Sequence, residues 1–287
     1  MVKISIIIAT FNRPFLLKYA IKSVLSQDIE YSFEIIVVDD GNNPETLSVV
    51  NGFIEKNIIY TKNYSKSGQA GARNYGVQIA HGVYITFLDD DDIYLPDRLN
   101  RQINKILTER YIFISSGRIY INKDNASASC IPKQTFGEIT LESIKYGNHI
   151  DIGVMLCKDI FLKHGGFDEN LVCFEDWDLF IRLLSENNAF KISAYDYVAF
   201  VYTNENKVSN NNTIGYHDLA NKYRNEFGDK WYIYMISISY RESGRLGIIW
   251  VFRSMFKYMT MLPLQVYIKH KISIAIKYIR LKTLTFL

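Results

Sequence analysis

Cysteine is scarce in this 287-residue chain. There are three, Cys130, Cys157 and Cys173, widely spaced and without a CxxC pair. That excludes a disulfide framework and a zinc cluster of paired thiolates, and it points to a reducing compartment. No uninterrupted apolar run reaches the ~18 residues of a membrane-spanning helix. The first apolar run, Ile4 to Ala9, is too short for a signal-peptide core and has no cleavage site behind it, so a cytoplasmic chain is expected. No GxGxxG follows the first β-rich run, which argues against a dinucleotide site, and the absence of GxxxxGK[ST] excludes a P-loop. Acidic residues are missing altogether after Glu242.

The composition itself is globular, 48% hydrophobic and 22% charged, long enough for one large domain or two small ones. The net charge of +3 conceals an asymmetry. Residues 1–228 hold 23 Lys and Arg against 28 Asp and Glu, whereas residues 229–287 hold 10 against 2. An acidic body and a basic tail suggest two jobs, with a boundary between 228 and 229.

Strands are expected at Ile4–Thr10, Glu34–Asp40, Ile58–Thr61 and Val83–Asp89, the first two almost continuously apolar, as in strands buried on both faces. Between the first pair, Leu17, Ala20, Ile21, Val24 and Leu25 follow helical spacing, and Pro14 stands where a helix would begin. Further helices are expected from Pro44 to about Glu55, from Gln69 to about Ala80, and onward from Pro96. This alternation predicts an α/β fold with a right-handed parallel sheet. Beyond it, Phe113–Ile121 and Asp151–Cys157 read as strands, Asn122–Ser129 as a loop and Glu175–Leu184 as a short helix. The Asn-rich stretch Asn204–Asn212 reads as a mobile loop.

Ligands of open α/β sheets bind beyond the carboxyl ends of the strands. Here those ends carry Thr10-Phe11-Asn12-Arg13, then Asp39-Asp40-Gly41, then Asp89-Asp90-Asp91-Asp92. Acidic clusters at one sheet edge repel unless a cation or donor groups neutralise them, and hard divalent cations take carboxylate oxygens alongside phosphate. Helix capping is the competing reading, and it accounts for one Asp at each place rather than four. The segment Ser67–Asn74 precedes a helix; its N–H groups and Arg73 suit an anion, or it is an ordinary loop-to-helix entry. The last cluster is Gly165-Gly166-Phe167-Asp168-Glu169 followed by Glu175-Asp176-Trp177-Asp178. Those acids either favour a helix dipole or supply a carboxylate base.

In order, ISIIIATFNRP, EIIVVDDG, GARNYGVQIAHGVYITFLDDDDIYLPDRL and GGFDENLVCFEDWDLFIRL resemble the family 2 glycosyltransferases of bacterial surface-polysaccharide synthesis, over roughly residues 3–205. The resemblance implies an inverting enzyme of the GT-A fold. Such a fold has a Rossmann-like, mostly parallel sheet, with a nucleotide-sugar half at about 1–100 and an acceptor half at about 101–228. It implies a nucleotide-sugar donor, with UDP as the commonest carrier, a glycan or lipid-linked acceptor, and Mg²⁺ or Mn²⁺. It further implies that Thr10, Asn12 and Arg13 line the nucleotide pocket, that Asp39 accepts the base N–H, and that Arg73 lies near the nucleotide. Asp89 and Asp91 become the outer members of a DxD motif, with Asp91 the direct metal ligand and Asp90 in the nucleotide-sugar set; Asp92 falls just outside. Asp176 becomes the general base. Many relatives carry a Tyr-x-x-His segment where this chain has Phe200-Val201-Tyr202-Thr203-Asn204, so the expectation is that Asn204 substitutes or that the loop is built differently.

Two rival functions differ in class. A catalytically silent subunit of the same fold would not need Asp91 and Asp176. A nucleotidyltransferase would open on a Gly-rich loop, which ATFNRP is not. In the tail, Ile248, Ile249, Val251, Phe252, Met255, Phe256 and Met259 fall on one helical face and Arg245, Arg253 and Lys257 towards the other. From Lys271 to Ile276 the pattern fits strand alternation as well as helix. A basic amphipathic helix suits an anionic membrane surface, here the inner face of the plasma membrane. The alternative is packing on the catalytic body or on a second subunit. Nucleic acid is not an expected partner.

Overall fold

The computed structural model describes residues 3–54, 57–65, 68–122, 127–130, 136–201 and 211–284. The chain divides into two compact units, one of residues 1–169 and 175–205, the other of residues 170–174 and 206–287.

The first unit starts as the apolar pattern dictates: β1 (Ile4–Thr10), α1 (Pro14–Leu25), β2 (Phe33–Asp39), α2 (Glu45–Asn51), β3 (Ile58–Lys62), α3 (Gln69–Ile79) and β4 (Tyr84–Phe87). It continues through β5 (Ile93–Tyr94), α4 (Arg98–Thr108), β6 (Phe113–Asn122), β7 (Ser127–Cys130), β8 (Gly137–Ile139), α5 (Leu141–Ile144), β9 (Met155–Cys157), α6 (Lys158–Lys163), α7 (Glu175–Leu184) and β10 (Ala189–Val201). Among the described residues these strands form one sheet in the order β3-β2-β1-β4-β9-β6-β10-β5, with β7 on β6 and β8 on β10. The first four are mutually parallel, as is the β6–β10 pair, while β9 runs antiparallel between the two halves.

Packing follows from the sequence. Ile4, Ile6, Ile7 and Ile8 of β1 are fully buried because β1 is central. The helix α3 packs on β1 and β2, and Gly76 permits that approach: a Cβ there would collide with Ile7 and Val38. A second core lies under α7, where Phe113 meets Phe180 at 5.2 Å between ring centroids. The register aligns Thr10 with Asp39 across β1 and β2 and Ile7 with Phe87 across β1 and β4. The polar ends of the three strands therefore reach one edge.

Some expectations need correction. Asp151–Val154 is not strand, and only Met155–Cys157 pairs. The reason is that its polar groups serve side chains: Asp151 accepts from Arg98 and Ser115, and the Gly153 carbonyl from Arg98 and Gln102. The expected loop Asn122–Ser129 is partly strand, with Ser127–Ser129 paired to Asn122–Tyr120. Of the Asn204–Asn212 stretch, residues 204–210 lie outside the described residues, and Asn212 opens the next helix. Tyr202, Thr203 and Asn204 likewise lie outside.

The second unit is helical: α8 (Asn212–Glu242), α9 (Ile248–Tyr258) and α10 (Leu262–Leu284). Gly228, at φ 80°, kinks α8 at the expected boundary, whereas the compact units divide at 205/206. Ile238, Leu246, Val251 and Val266 make its core, with Tyr234, Tyr240, Trp250, Met255, Leu264 and Tyr267 packed around them. Val251 and Met255 thus point inward rather than sharing a face with Phe252 and Phe256. The segment Lys271–Ile276 is helix, not strand. No described helix is long and apolar enough to cross a membrane.

Candidate active site

The apolar run of β4 ends at Leu88, and the four aspartates that follow lead into β5, not into a helix. Capping therefore explains none of them. Each has a separate environment. Asp90 turns inward, accepting from Thr10 Oγ1 at 2.6 Å and pairing with Arg13 Nη2 at 2.7 Å. Burial pushes its carboxyl up to about 6 even though Arg13 opposes the shift. Asp91 meets Arg13 Nη1 at 2.7 Å and is pushed upward by burial and by Asp89. Asp89 meets Arg73 Nη2 at 2.5 Å and Gln69 Nε2 at 3.2 Å. Asp92 is buried, accepts from the Phe200 N–H at 3.0 Å, and is held well above the carboxylate range by burial, Asp89 and Asp91.

Carboxylate oxygens of Asp89, Asp91 and Asp92 lie within 4.8 Å of one another. Three hard oxygen donors under mutual repulsion fit Mg²⁺ or Mn²⁺ by donor chemistry. Asp92, expected outside the motif, is thus part of the cluster.

Arg73 joins this loop to α7. Its Nη2 holds Asp89, and its Nη1 holds Glu175 Oε1 at 2.9 Å, with the guanidinium almost fully buried. Two acidic segments 86 residues apart in sequence are therefore bound by one side chain. The neighbouring Asn74 clamps the glycine loop before α7: it accepts from Phe167 N–H at 2.9 Å and donates to Phe167 O and Glu169. Arg182 adds hydrogen bonds to the carbonyls of His164 and Gly166, and it neutralises the buried Asp178. Asp178 is thereby committed to holding the loop.

Asp176 follows Glu175 in the first turn of α7 and is half-buried. Its Oδ1 accepts from the Trp177 N–H at 2.7 Å and its Oδ2 from Asn148 Nδ2 at 3.0 Å. Burial, reinforced by Glu175, pushes its carboxyl up to about 7. A carboxylate of that basicity is matched to taking a proton near neutral pH.

At the other end of the edge, Asp39 is buried and accepts from the Gly41 N–H on Oδ1 and from Tyr60 and Lys62 on Oδ2. A carboxylate has about four acceptor positions; three of those on Asp39 are filled, and its side chain is fully buried. Asn12, at φ 55°, turns its Oδ1 onto the N–H groups of Asn42 and Asn43. It shapes the loop after β2, and Gly41 leaves the room it needs. The described anion partners of the Gly68–Asn74 stretch are the protein's own carboxylates: Gly68 N–H donates to Asp40, and Arg73 to Asp89 and Glu175. Ser67 lies outside the described residues.

The structure thus brings together Thr10, Arg13, Arg73, Asp89, Asp90 and Asp91, and ties Asp176 to them through Glu175 and Arg73. Asp39 and Asn12 stand at the β2 end of the same edge. Sequence reading missed Gln69, Asn74, Asn148 and Lys62, whose only signal is a partner distant in the chain. A cavity of about 360 Å³ lined by Tyr84, Ile106 and Cys157 lies instead at the amino end of β4, and no cluster of acids marks it.

Residues 5–156 match glycosyl transferase family 2. Among characterised and uncharacterised relatives, the chain is 33% identical to an uncharacterised glycosyltransferase of Methanocaldococcus jannaschii, covering 66% of this chain and 67% of that one. It is 32% identical to the Escherichia coli UDP-Glc:alpha-D-GlcNAc-diphosphoundecaprenol beta-1,3-glucosyltransferase WfaP, over 64% of this chain and 70% of that one. Among solved structures, residues 1–349 of S. aureus TarS in complex with UDP-GlcNAc superpose with a TM-score of 0.67 at 19% identity, covering 92% and 82% of the two chains.

Proposed function

The chain belongs to glycosyl transferase family 2, and from that premise we propose that it is an inverting enzyme moving a sugar, of hexose type, from a UDP-sugar to a hydroxyl of a glycan or lipid-linked acceptor. The observation that carries this reading is Arg73. One buried guanidinium ties the acidic loop after β4 to the helix that bears Asp176, so donor-binding and proton-accepting groups are held at one place. The choice of UDP is supported by the donor named for WfaP and the ligand bound to TarS.

Asp89 and Asp91, with Asp92 beside them, would hold Mg²⁺ or Mn²⁺, which would offset charge on the departing diphosphate. The chain's own residues do the rest. Asp39 takes the uracil N3–H once the side chains that cover its carboxylate, Tyr60 and Lys62, move aside. Thr10 and Arg13 hold Asp90 and Asp91 in place, and Asn12 shapes the loop beside the base. Asp176 accepts the proton of the acceptor hydroxyl as its oxygen bonds to the anomeric carbon and the nucleoside diphosphate leaves. That is one direct displacement, inverting the centre, without a covalent intermediate. The basic second unit keeps the enzyme at the cytoplasmic face of the membrane, where a lipid-linked acceptor resides.

A donor screen tests the reading. Purified protein with Mn²⁺ is offered UDP-, GDP-, CDP- and dTDP-sugars, and nucleotide release is measured. Release from a UDP-sugar, lost on chelation and in Asp91→Asn, is the expected result. Full activity in excess EDTA would overturn the metal assignment, and turnover of only CDP- or GDP-sugars the role of Asp39.

A further inference from the structure

The second unit presents apolar surface that its own core does not use. Ile249 is 69% exposed, Phe252 47%, Phe256 79% and Met259 81%. The helix α9 has already buried its opposite side: Val251 and Ser254 are inside, and Trp250 packs on Tyr240 at 4.7 Å between ring centroids. On a helical projection Ile249, Phe252 and Phe256 form one stripe, and Arg253 and Lys257 flank it on a single side. In α10, Ile268, Ile272 and Ile276 repeat at four-residue intervals and are each about half exposed, with Lys269 and Lys271 beside them.

Large exposed aromatic and aliphatic side chains in one stripe mark an interaction surface. Charge selects the occupant. Residues 243–287 carry eight Lys and Arg and no acid. Two copies of so uniformly basic a face repel in a symmetric pair, because the same patch must meet itself. An anionic lipid surface attracts it and admits apolar side chains below the headgroups. The helix is also too short and too polar to span, which leaves an in-plane attachment.

We infer that the outward face of α9, centred on Ile249, Phe252 and Phe256 with Arg253 and Lys257 at its flank, is a docking surface for an anionic lipid bilayer. The inference deepens the membrane attachment proposed above and rests on it for its purpose, while the surface itself stands on the second unit alone. Aromatic insertion supplies the holding force, and the basic flank supplies the preference for anionic headgroups.

The test uses full-length protein and sedimentation with vesicles of phosphatidylcholine, with and without phosphatidylglycerol. Donor hydrolysis and solution mass are followed in parallel. Wild type is expected to pellet with the anionic vesicles at least tenfold more strongly than with the neutral ones. High salt should weaken the binding without abolishing it, since screening shortens to ~3 Å at 1 M while apolar insertion persists. The double variant Phe252→Ser/Phe256→Ser should lose tenfold or more of the binding to both vesicle types. Arg253→Glu/Lys257→Glu should lose the anionic preference. All three proteins should hydrolyse donor equally and keep their helical circular dichroism. The inference fails if wild type ignores anionic vesicles, or if the phenylalanine variant binds as well as wild type. It also fails if wild type self-associates and that variant dissociates it, which would make the face an interface between copies. Vesicle binding by a protein that releases nucleotide from no donor would sink the glycosyl-transfer reading and leave this surface standing.

Discussion

Asp176 is held between opposing influences. Burial and the neighbouring Glu175 raise its carboxyl to about 7, while the Trp177 N–H and the Arg73 guanidinium favour its ionised form. As the proposed base it works only when deprotonated. The acid limb of kcat/KM is therefore expected near pH 7, with activity falling one decade per unit below it. Removing the negative charge of Glu175 withdraws repulsion and frees Arg73 to act on Asp176, and both changes lower its pKa. Glu175→Gln should thus move the limb towards acid pH, whereas Asp176→Asn should cut turnover by ~10²–10⁴-fold at every pH and leave donor affinity nearly intact. A pH–rate profile of the three proteins checks this. An unmoved limb in Glu175→Gln, or near-normal turnover in Asp176→Asn, would assign the base elsewhere. Asp178 is a poor substitute, since both described contacts to its Oδ2 come from Arg182.

At the scale of elements, the parts of the sheet with continuous apolar runs were legible and those with buried charge were not. The strands β1 and β2 are rich in Ile and Val buried on both faces, so their presence and their place in the sheet are written in the sequence. In contrast, β10 holds Lys191 and Asp196 at 1% exposure, and a local pattern counts such residues as surface. They are tolerated because Lys191 donates to the His149 carbonyl and Asp196 takes Arg98, Arg101 and Ser116, all remote in sequence. The site divides the same way. Its acids were readable as clusters, but the amides and arginines that hold them required the fold. Asn74 provides a test of one such bridge, joining α3 to the loop before α7. Asn74→Ala removes three hydrogen bonds and is expected to cost roughly 1–3 kcal/mol. Asn74→Asp keeps the acceptor for the Phe167 N–H but sets a carboxylate against Glu169, 2.8 Å from the lost donor. It should be no more stable than the alanine variant at pH 7 and should recover towards pH 4, where the carboxyls protonate. Urea midpoints at the two pH values decide it; equal midpoints for Asn74→Asp and wild type at pH 7 would rule the clamp out.

Over the whole molecule, charge and packing both divide the chain. The acids that build the site belong to the first unit, and the long basic stretch belongs to the second. Each has its own core, the first between sheet and helices, the second around Ile238, Leu246, Val251 and Val266. Two cores in one chain favour separate cooperative transitions over a single one. A substitution confined to one core should therefore move one transition. Val251 is fully buried, and Val251→Asp places an uncompensated carboxylate among apolar side chains, a change expected to cost roughly 3–5 kcal/mol. Differential scanning calorimetry should show the helical transition shifted strongly downward while the other keeps its midpoint. A UDP-sugar, which stabilises only the unit that binds it, should raise that other transition by mass action and leave the helical one unmoved. A single transition that Val251→Asp lowers as a whole would mean that the two units unfold as one. Donor-induced stabilisation of the helical transition would place part of the donor site in the second unit.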